Sequence, residues 1–255
     1  MLSALRLCPA CDPECPRPLV NRFQGVCEPC DRALGEGPSL CAFCASPVCP
    51  PGGPCLRPWS NLVTSPGSAY AGPLLSGFHA RYLMLGEGAR VLRRWKTRTG
   101  PYFDRHVLNL DRPAQLRPAL LALAAPSFFI VPIPQRLRRS WRLGRSPAEQ
   151  ISRWLASELG TPWVRGLRPP SLRQPHQAEL SLEARLSRRF EFALAPRMAT
   201  RIRGADILLV DDFMTTGRTL RAAALVLQAA GARKITGFSL AVRPSRVGGE
   251  AIARR

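Results

Sequence analysis

Two sets of residues in this chain of 255 have types and spacings that could do chemistry. The first is the window VDDFMTTGRT, in which Asp211 and Asp212 precede Thr215, Thr216, Gly217, Arg218 and Thr219. Where such a window opens a helix, the first backbone N–H groups lack partners inside the helix and the helix dipole favours negative charge, so the turn becomes a phosphate cradle. The threonine hydroxyls add donors, and Gly217 lets the backbone approach an anion closely. Two adjacent carboxylates would repel that anion unless they face something else, either vicinal sugar hydroxyls or Mg2+. Hydroxyls at one end and phosphate at the other describe a ribose 5-phosphate. The plainer alternative is an ordinary strand-to-helix turn whose acids cap the helix. Two acids, threonines and a glycine gathered in one short window argue against it. No GxxxxGK[ST] sequence occurs, which sets P-loop nucleotide triphosphatases aside.

The second set is the cysteines, all nine of which fall between positions 8 and 55. In a cytoplasmic chain such a cluster is read as metal ligation before disulfides. Cys8 with Cys11 and Cys27 with Cys30 form two Cys-x-x-Cys knuckles separated by 15 residues, which suits a tetrahedral Zn2+ site. Cys41 and Cys44 make a third knuckle. Its partners, Cys49 and Cys55, have five residues between them and would complete a second, irregular Zn2+ set, with Cys15 left over. Spacing leaves open an interleaved pairing of Cys8 and Cys11 with Cys41 and Cys44, and also a set of buried thiols or a redox pair. Against the latter, a segment this rich in Pro and Gly has too little apolar bulk to fold without metal.

The acidic window needs elements to position it. Residues Ile207 to Val210 read as a short buried strand, with the acids at the entrance of the polar loop that follows. Leu220, Ala223, Ala224, Leu227 and Ala230 then recur at helical spacing until Gly231. Upstream, Phe128 to Pro134 is the first core strand, ended by Pro132 and Pro134. The loop after it carries Arg136, Arg138, Arg139, Arg142 and Arg145, which suit a pyrophosphate and equally a nucleic-acid backbone. Ser146, Pro147 and Glu149 predict a helix start with a capping box, Ile151, Trp154, Leu155 and Leu159 its buried stripe, and Gly160 its end. Residues 78–98 are amphipathic: Ala89, Leu92 and Trp95 share a face with Arg90, Arg93, Arg94, Lys96 and Arg98 close by, either a solvated basic face or the wall of an anion cleft. Val164 to Leu167 and Ile235 to Val242 read as further strands. Residues 168–189 suit a mobile flap, in which His176 and Gln177 are best able to reach a ligand. Trp141, Trp154 and Trp163 are stacking candidates, with core packing the ordinary alternative. Strands alternating with helices predict a parallel α/β sheet covered on both faces, with its site at the C-terminal end of the strand reaching Val210.

Charge bounds the partners. The chain carries 37 basic and 17 acidic residues, a net +20, and the excess lies wholly in residues 61–255. Only Lys96 and Lys234 are lysine. An Arg preference can follow from genome composition, but the excess of bases over acids points to an anionic partner, phosphorylated small molecules or nucleic acid. No run of about 18 apolar residues occurs, so no membrane insertion is expected. The first residues lack a secretory apolar region, and the expected location is cytoplasmic.

Cys-x-x-Cys knuckles, VPIP before an Arg-rich loop, RLGRSPAEQ, QAELSLEAR and LLVDDFMTTGRTL follow one another in an order that resembles the competence-protein ComF family (ComFC/GntX-like). The window VDDFMTTGRT by itself resembles the phosphoribosyl pyrophosphate (PRPP) motif of type I phosphoribosyltransferases. The resemblance implies a zinc-binding module at residues 1–58, a connector to about 77, and a phosphoribosyltransferase-like domain at 78–255. It implies ribose or Mg2+ binding by Asp211 and Asp212, and 5-phosphate binding by Thr215, Thr216, Gly217, Arg218 and Thr219. It also implies a link to DNA uptake in natural transformation. Two readings stand side by side: a transferase using PRPP with Mg2+, and a non-catalytic protein on that scaffold that binds single-stranded DNA or docks a DNA-uptake helicase. The cysteine spacing gives a first test. Purified protein should carry at least one zinc per chain by atomic absorption, lost in Cys8→Ser/Cys11→Ser; a folded, metal-free wild type would refute it.

Overall fold

The computed structural model describes residue 34 and residues 74–84, 86–97, 101–109, 116–123, 125–135, 146–169, 192–215 and 217–243. All nine cysteines lie outside these residues. In chain order the elements are β1 (Gly77–Leu83), α1 (Gly86–Thr97), α2 (Pro101–Leu108), α3 (Leu116–Leu121), β2 (Phe128–Pro132), α4 (Pro147–Leu159), β3 (Leu167–Arg168), β4 (Ala193–Leu194), α5 (Ala199–Ile202), β5 (Asp206–Met214), α6 (Arg218–Ala229) and β6 (Lys234–Val242).

The expected parallel sheet is present. Its four strands run in the order β1-β6-β5-β2, every neighbouring pair parallel. Parallel strands need crossovers, and helices serving as crossovers cover both faces, so the central strands read as unbroken apolar runs. In β5, Leu208 and Val210 enter one core with Trp95, Phe103, Ile151, Leu155 and Phe238, while Ile207 and Leu209 enter the other with Phe78, Leu220, Ala224 and Leu227. Helices α1 to α4 thus cover one face and α6 the other. Leu34, the one described residue before position 74, is buried in the first core.

Several sequence expectations change. The strand β2 is not the first of the sheet: β1 precedes it, within a stretch read as continuously amphipathic. Phe78, Ala80 and Tyr82 alternate with His79 and Arg81 at the period of a strand, a signal that the amphipathic reading of 78–98 passed over. β2 ends at Pro132 as the prolines require, but it lies at the sheet edge. There the Ile130 N–H donates to Pro162 O and the Val164 N–H donates to Ile130 O, so the chain at 162–164 caps the exposed edge. Val164 to Leu167 was expected to be a strand; only a bridge at Trp163 and the two-residue β3, paired antiparallel with β4, form. The capping box at α4 does not form. Ser146 and Pro147 sit at the predicted N-cap and N1, but the Ser146 hydroxyl makes no cap bond. Glu149 instead takes both guanidinium contacts of Arg165, at 2.8 and 2.9 Å. An ion pair with two aligned hydrogen bonds outweighs one bond to a backbone N–H. Gly160 closes α4 in the left-handed region, φ 62°.

One glycine sets how α6 sits on the sheet. A Cβ at Gly237 in β6 would lie 2.8 Å from Phe78 Cδ2 and 3.0 Å from Leu220 Cδ2. The absent side chain lets the first turn of α6 settle onto the sheet. Gly237→Ala should therefore cost about 1–3 kcal/mol, the usual cost of overpacking. Urea unfolding would show it as a lower midpoint at unchanged slope; an unchanged midpoint would mean α6 moves aside without strain. Among the described residues no helix is long and apolar enough to cross a membrane.

Candidate functional site

At the C-terminal ends of the parallel strands lies a cleft of about 850 Å³. Open α/β sheets place ligands there. Its walls bring together residues far apart in sequence: Arg93, Lys96 and Thr97 from α1, Gln135 after β2, Asp211, Asp212 and Phe213 from β5, Thr215 and Thr219 around the start of α6, and Arg243 after β6.

The acids are held differently from the expectation of a loop. β5 continues through them to Met214, so they project from the end of a strand. The alternation slips there: Phe213 packs with the first core and Met214 with the second. The backbone donors at this point are met by side chains. The Asp212 N–H donates to Asp211 Oδ1 at 2.8 Å, the Phe213 N–H to Asp212 Oδ1 at 2.6 Å, and the Met214 N–H to the buried Ser239 Oγ at 3.1 Å. Short polar side chains bonding nearby N–H groups are what let the strand end here without orphaned donors.

Asp212 is buried and ion-paired with Lys96, whose side chain is only 13% exposed. Gln135 Nε2 donates to the same carboxylate oxygen at 3.2 Å. The Lys96 ammonium also lies 4.6 Å from the Phe213 ring centroid, close enough for a cation–π contact. α1 is fixed in place by its neighbour Trp95, fully buried, whose Nε1 donates to Asp104 Oδ1 of α2 at 2.8 Å. Burial away from water, and then the adjacent Asp212 charge, push the Asp211 carboxyl up from the usual carboxylate range to about 7.

The C-terminal part of the window is built as a helix start. Gly217, φ 68°, turns the chain into α6. Its left-handed backbone is one that few side chains tolerate. Thr215 and Thr219 line the cleft, while Arg218 is exposed. Thr216, the five arginines from Arg136 to Arg145, His176 and Gln177 lie outside the described residues, as do all the proposed zinc ligands. Among the described residues no three His, Cys, Asp or Glu side chains gather as a metal site would need. Sequence reasoning missed the partnership of Lys96 and Gln135 with Asp212, and it missed Arg243. The available signal for Lys96 was its rarity, one of two lysines among 37 basic residues.

A strand ending in two acids, a glycine turn and a helix start face one cleft, and residues 144–248 match the phosphoribosyl transferase domain family. Across almost the whole chain the similarity is to DNA utilization protein YhgH. That of Salmonella typhi is 30% identical, and those of Salmonella typhimurium and Escherichia coli K12 are 29% identical, each covering 87% of this chain and 92% of the relative. The chain belongs to the YhgH family. β1, α1 and β2, and with them Lys96 and Gln135, precede the matched domain and complete its cleft.

The raised Asp211 carboxyl has a stability consequence. A folded-state value of about 7 against 3.8 for an ordinary aspartate means the folded protein holds this proton more tightly. Stability from this group is therefore present below about pH 4 and is lost as pH rises through about 7. Asp211→Asn removes that loss. Its melting temperature should match wild type near pH 4 and exceed it at pH 8 by at least about 2–4 °C, the shift from 1 kcal/mol in a chain of this size. Parallel melting curves across the range would show that Asp211 ionises without penalty.

Proposed function

We propose that this protein binds PRPP, or ribose 5-phosphate, in the cleft above β5 and β6, and that it is a ComF-like phosphoribosyltransferase-family protein serving the handling of incoming DNA in natural transformation. One observation carries the reading: Asp211 and Asp212, suited to sugar hydroxyls, and Thr215 with Thr219 at the start of α6, suited to phosphate, line the same 850 Å³ space. The domain match over 144–248 and the likeness to the YhgH relatives, DNA utilization proteins by name, support the family and the DNA connection.

In this reading the 5-phosphate sits on the N–H groups and hydroxyls around Thr215, Gly217 and Thr219, where the helix start favours an anion. The acids accept hydrogen bonds from the ribose hydroxyls. The guanidinium groups of the loop from Arg136 to Arg145 hold the pyrophosphate by paired hydrogen bonds. Mg2+ bound to that pyrophosphate would supply further neutralisation of its charge. For transfer, an acceptor forms a bond to the anomeric carbon as the bond to pyrophosphate breaks, and pyrophosphate leaves with the electron pair. Stabilising the charge that develops on it is the chief catalytic demand, and the arginine loop meets it.

Calorimetric titration of PRPP with Mg2+ tests the reading. Wild type should bind, and the Asp211→Asn/Asp212→Asn variant should lose at least about tenfold in affinity, equivalent to 1.4 kcal/mol. A folded wild type that takes up neither PRPP nor ribose 5-phosphate would overturn the assignment of the cleft.

A further inference from the structure

The acid pair of the cleft already has a cation. Asp212 Oδ2 receives both Lys96 and Gln135 Nε2, and Asp212 Oδ1 receives the Phe213 N–H. Both oxygens of this carboxylate are thus engaged by protein donors. A divalent ion binding directly to Asp212 would have to displace the ammonium of Lys96 from a niche in which lysine and aspartate are 13% and 8% exposed. Mg2+ is a poor candidate for such an exchange, since it demands near-octahedral oxygen geometry and keeps several of its waters.

The choice of lysine fits a cation with this task. The chain uses arginine almost everywhere, yet the basic residue that reaches Asp212 is one of its two lysines. An ammonium is a compact point charge with three donors, whereas a guanidinium is a wide planar fork. The Phe213 ring 4.6 Å away closes one side of the niche and adds attraction for a cation. Trp95, held by Asp104, keeps the adjacent turn of α1 in place.

We infer that Lys96 is the built-in cation of the ribose subsite, standing at Asp212 where a metal ion would otherwise serve, so that the cleft takes sugar 5-phosphates without a protein-bound metal. This rests on the sugar-phosphate reading of the cleft. Vicinal hydroxyls need both donors and acceptors around them. Lys96 offers ammonium hydrogens beyond the one spent on Asp212, and the carboxylates offer acceptors. Mg2+ then enters only with a ligand that carries its own pyrophosphate. Lys96 is a specificity-determining residue in this scheme: it decides that a pentose monophosphate lacking a metal-binding group can still be held.

The test is titration of ribose 5-phosphate into wild type, Lys96→Met and Lys96→Arg, in EDTA and in Mg2+, with Mn2+ binding to the ligand-free proteins read by electron paramagnetic resonance. Wild type should bind the sugar phosphate equally in both buffers and take up no Mn2+. Lys96→Met should lose at least about tenfold in EDTA, recover in Mg2+, and gain a Mn2+ site. Lys96→Arg, which keeps the charge and so guards against a misfolded Met variant, should bind more weakly than wild type yet stay independent of metal. A merely structural lysine would give no recovery with Mg2+. Wild-type binding that appears only with Mg2+, or a Lys96→Met variant that binds like wild type in EDTA, overturns the inference. If PRPP with Mg2+ binds wild type while ribose 5-phosphate in EDTA does not, the built-in cation is wrong and the sugar-phosphate cleft stands. If neither ligand binds under any condition, both fall.

Discussion

A strand buried on both faces can carry charged side chains only near its ends or where they find partners. β5 obeys this constraint along its length: Ile207 through Val210 are sealed between α1 to α4 on one side and α6 on the other. Asp206 opens the strand paired with Arg233, and the next polar side chains, Asp211 and Asp212, come near its C-terminal end. The chain must then turn back over the second face, and Gly217 supplies the left-handed turn that starts α6. Gly237 completes the arrangement by letting Leu220 rest on β6. Acids at a strand end and unpaired N–H groups at a helix start are thereby brought to one edge of the sheet by packing alone.

That placement conflicts with stability. Asp211 lies out of water beside the Asp212 charge, and both effects oppose its ionisation. The fold answers locally, with backbone N–H groups on both acids and with Lys96 and Gln135 on Asp212. Asp211 retains the penalty, as its raised carboxyl shows. Local rules are broken most readily where a ligand will later satisfy them, and the acid pair is where this chain breaks them. Around it the design is conventional: continuous apolar strands, small residues where α6 meets the sheet, and a proline at the start of α4.

The parts of this architecture that were legible in the sequence are those fixed by short-range pattern. The run from Ile207, the helical recurrence from Leu220 to Leu227, the prolines that stop β2 and the Pro147 and Gly160 that bound α4 each state their own structure. β1 does alternate, Phe78, Ala80 and Tyr82 against His79 and Arg81, but only two residues separate it from the helical period of α1, and the two were read as one amphipathic stretch. The capping box failed because Glu149 had a better partner in Arg165, 16 residues away, and no local motif reports a distant guanidinium. The same reason hid half of the cleft. Asp211, Asp212 and the threonines form one contiguous window, but Lys96 and Gln135 reach Asp212 from positions 116 and 77 residues earlier, brought there by strand order. Contiguous chemistry is readable from sequence; chemistry assembled by topology has to be seen.

The net charge of +20 and the cleft act on an anionic ligand over different ranges. Among the cleft residues, Arg93, Lys96 and Arg243 stand against Asp211 and Asp212, and Lys96 is already committed to Asp212. The local balance is therefore modest, and in the proposed reading discrimination between a phosphate and any other anion comes from directional donors at Thr215, Gly217 and Thr219. The general excess of arginine works at longer range, raising the rate of encounter with any polyanion and fading as salt shortens the Debye length to about 8 Å at physiological ionic strength. A sugar phosphate and a nucleic-acid strand would both feel that field, and in the proposed reading the sugar phosphate also meets the acids and the helix start that share the cleft. Affinity that persists at high salt thus belongs to the cleft, and affinity that vanishes belongs to the surface.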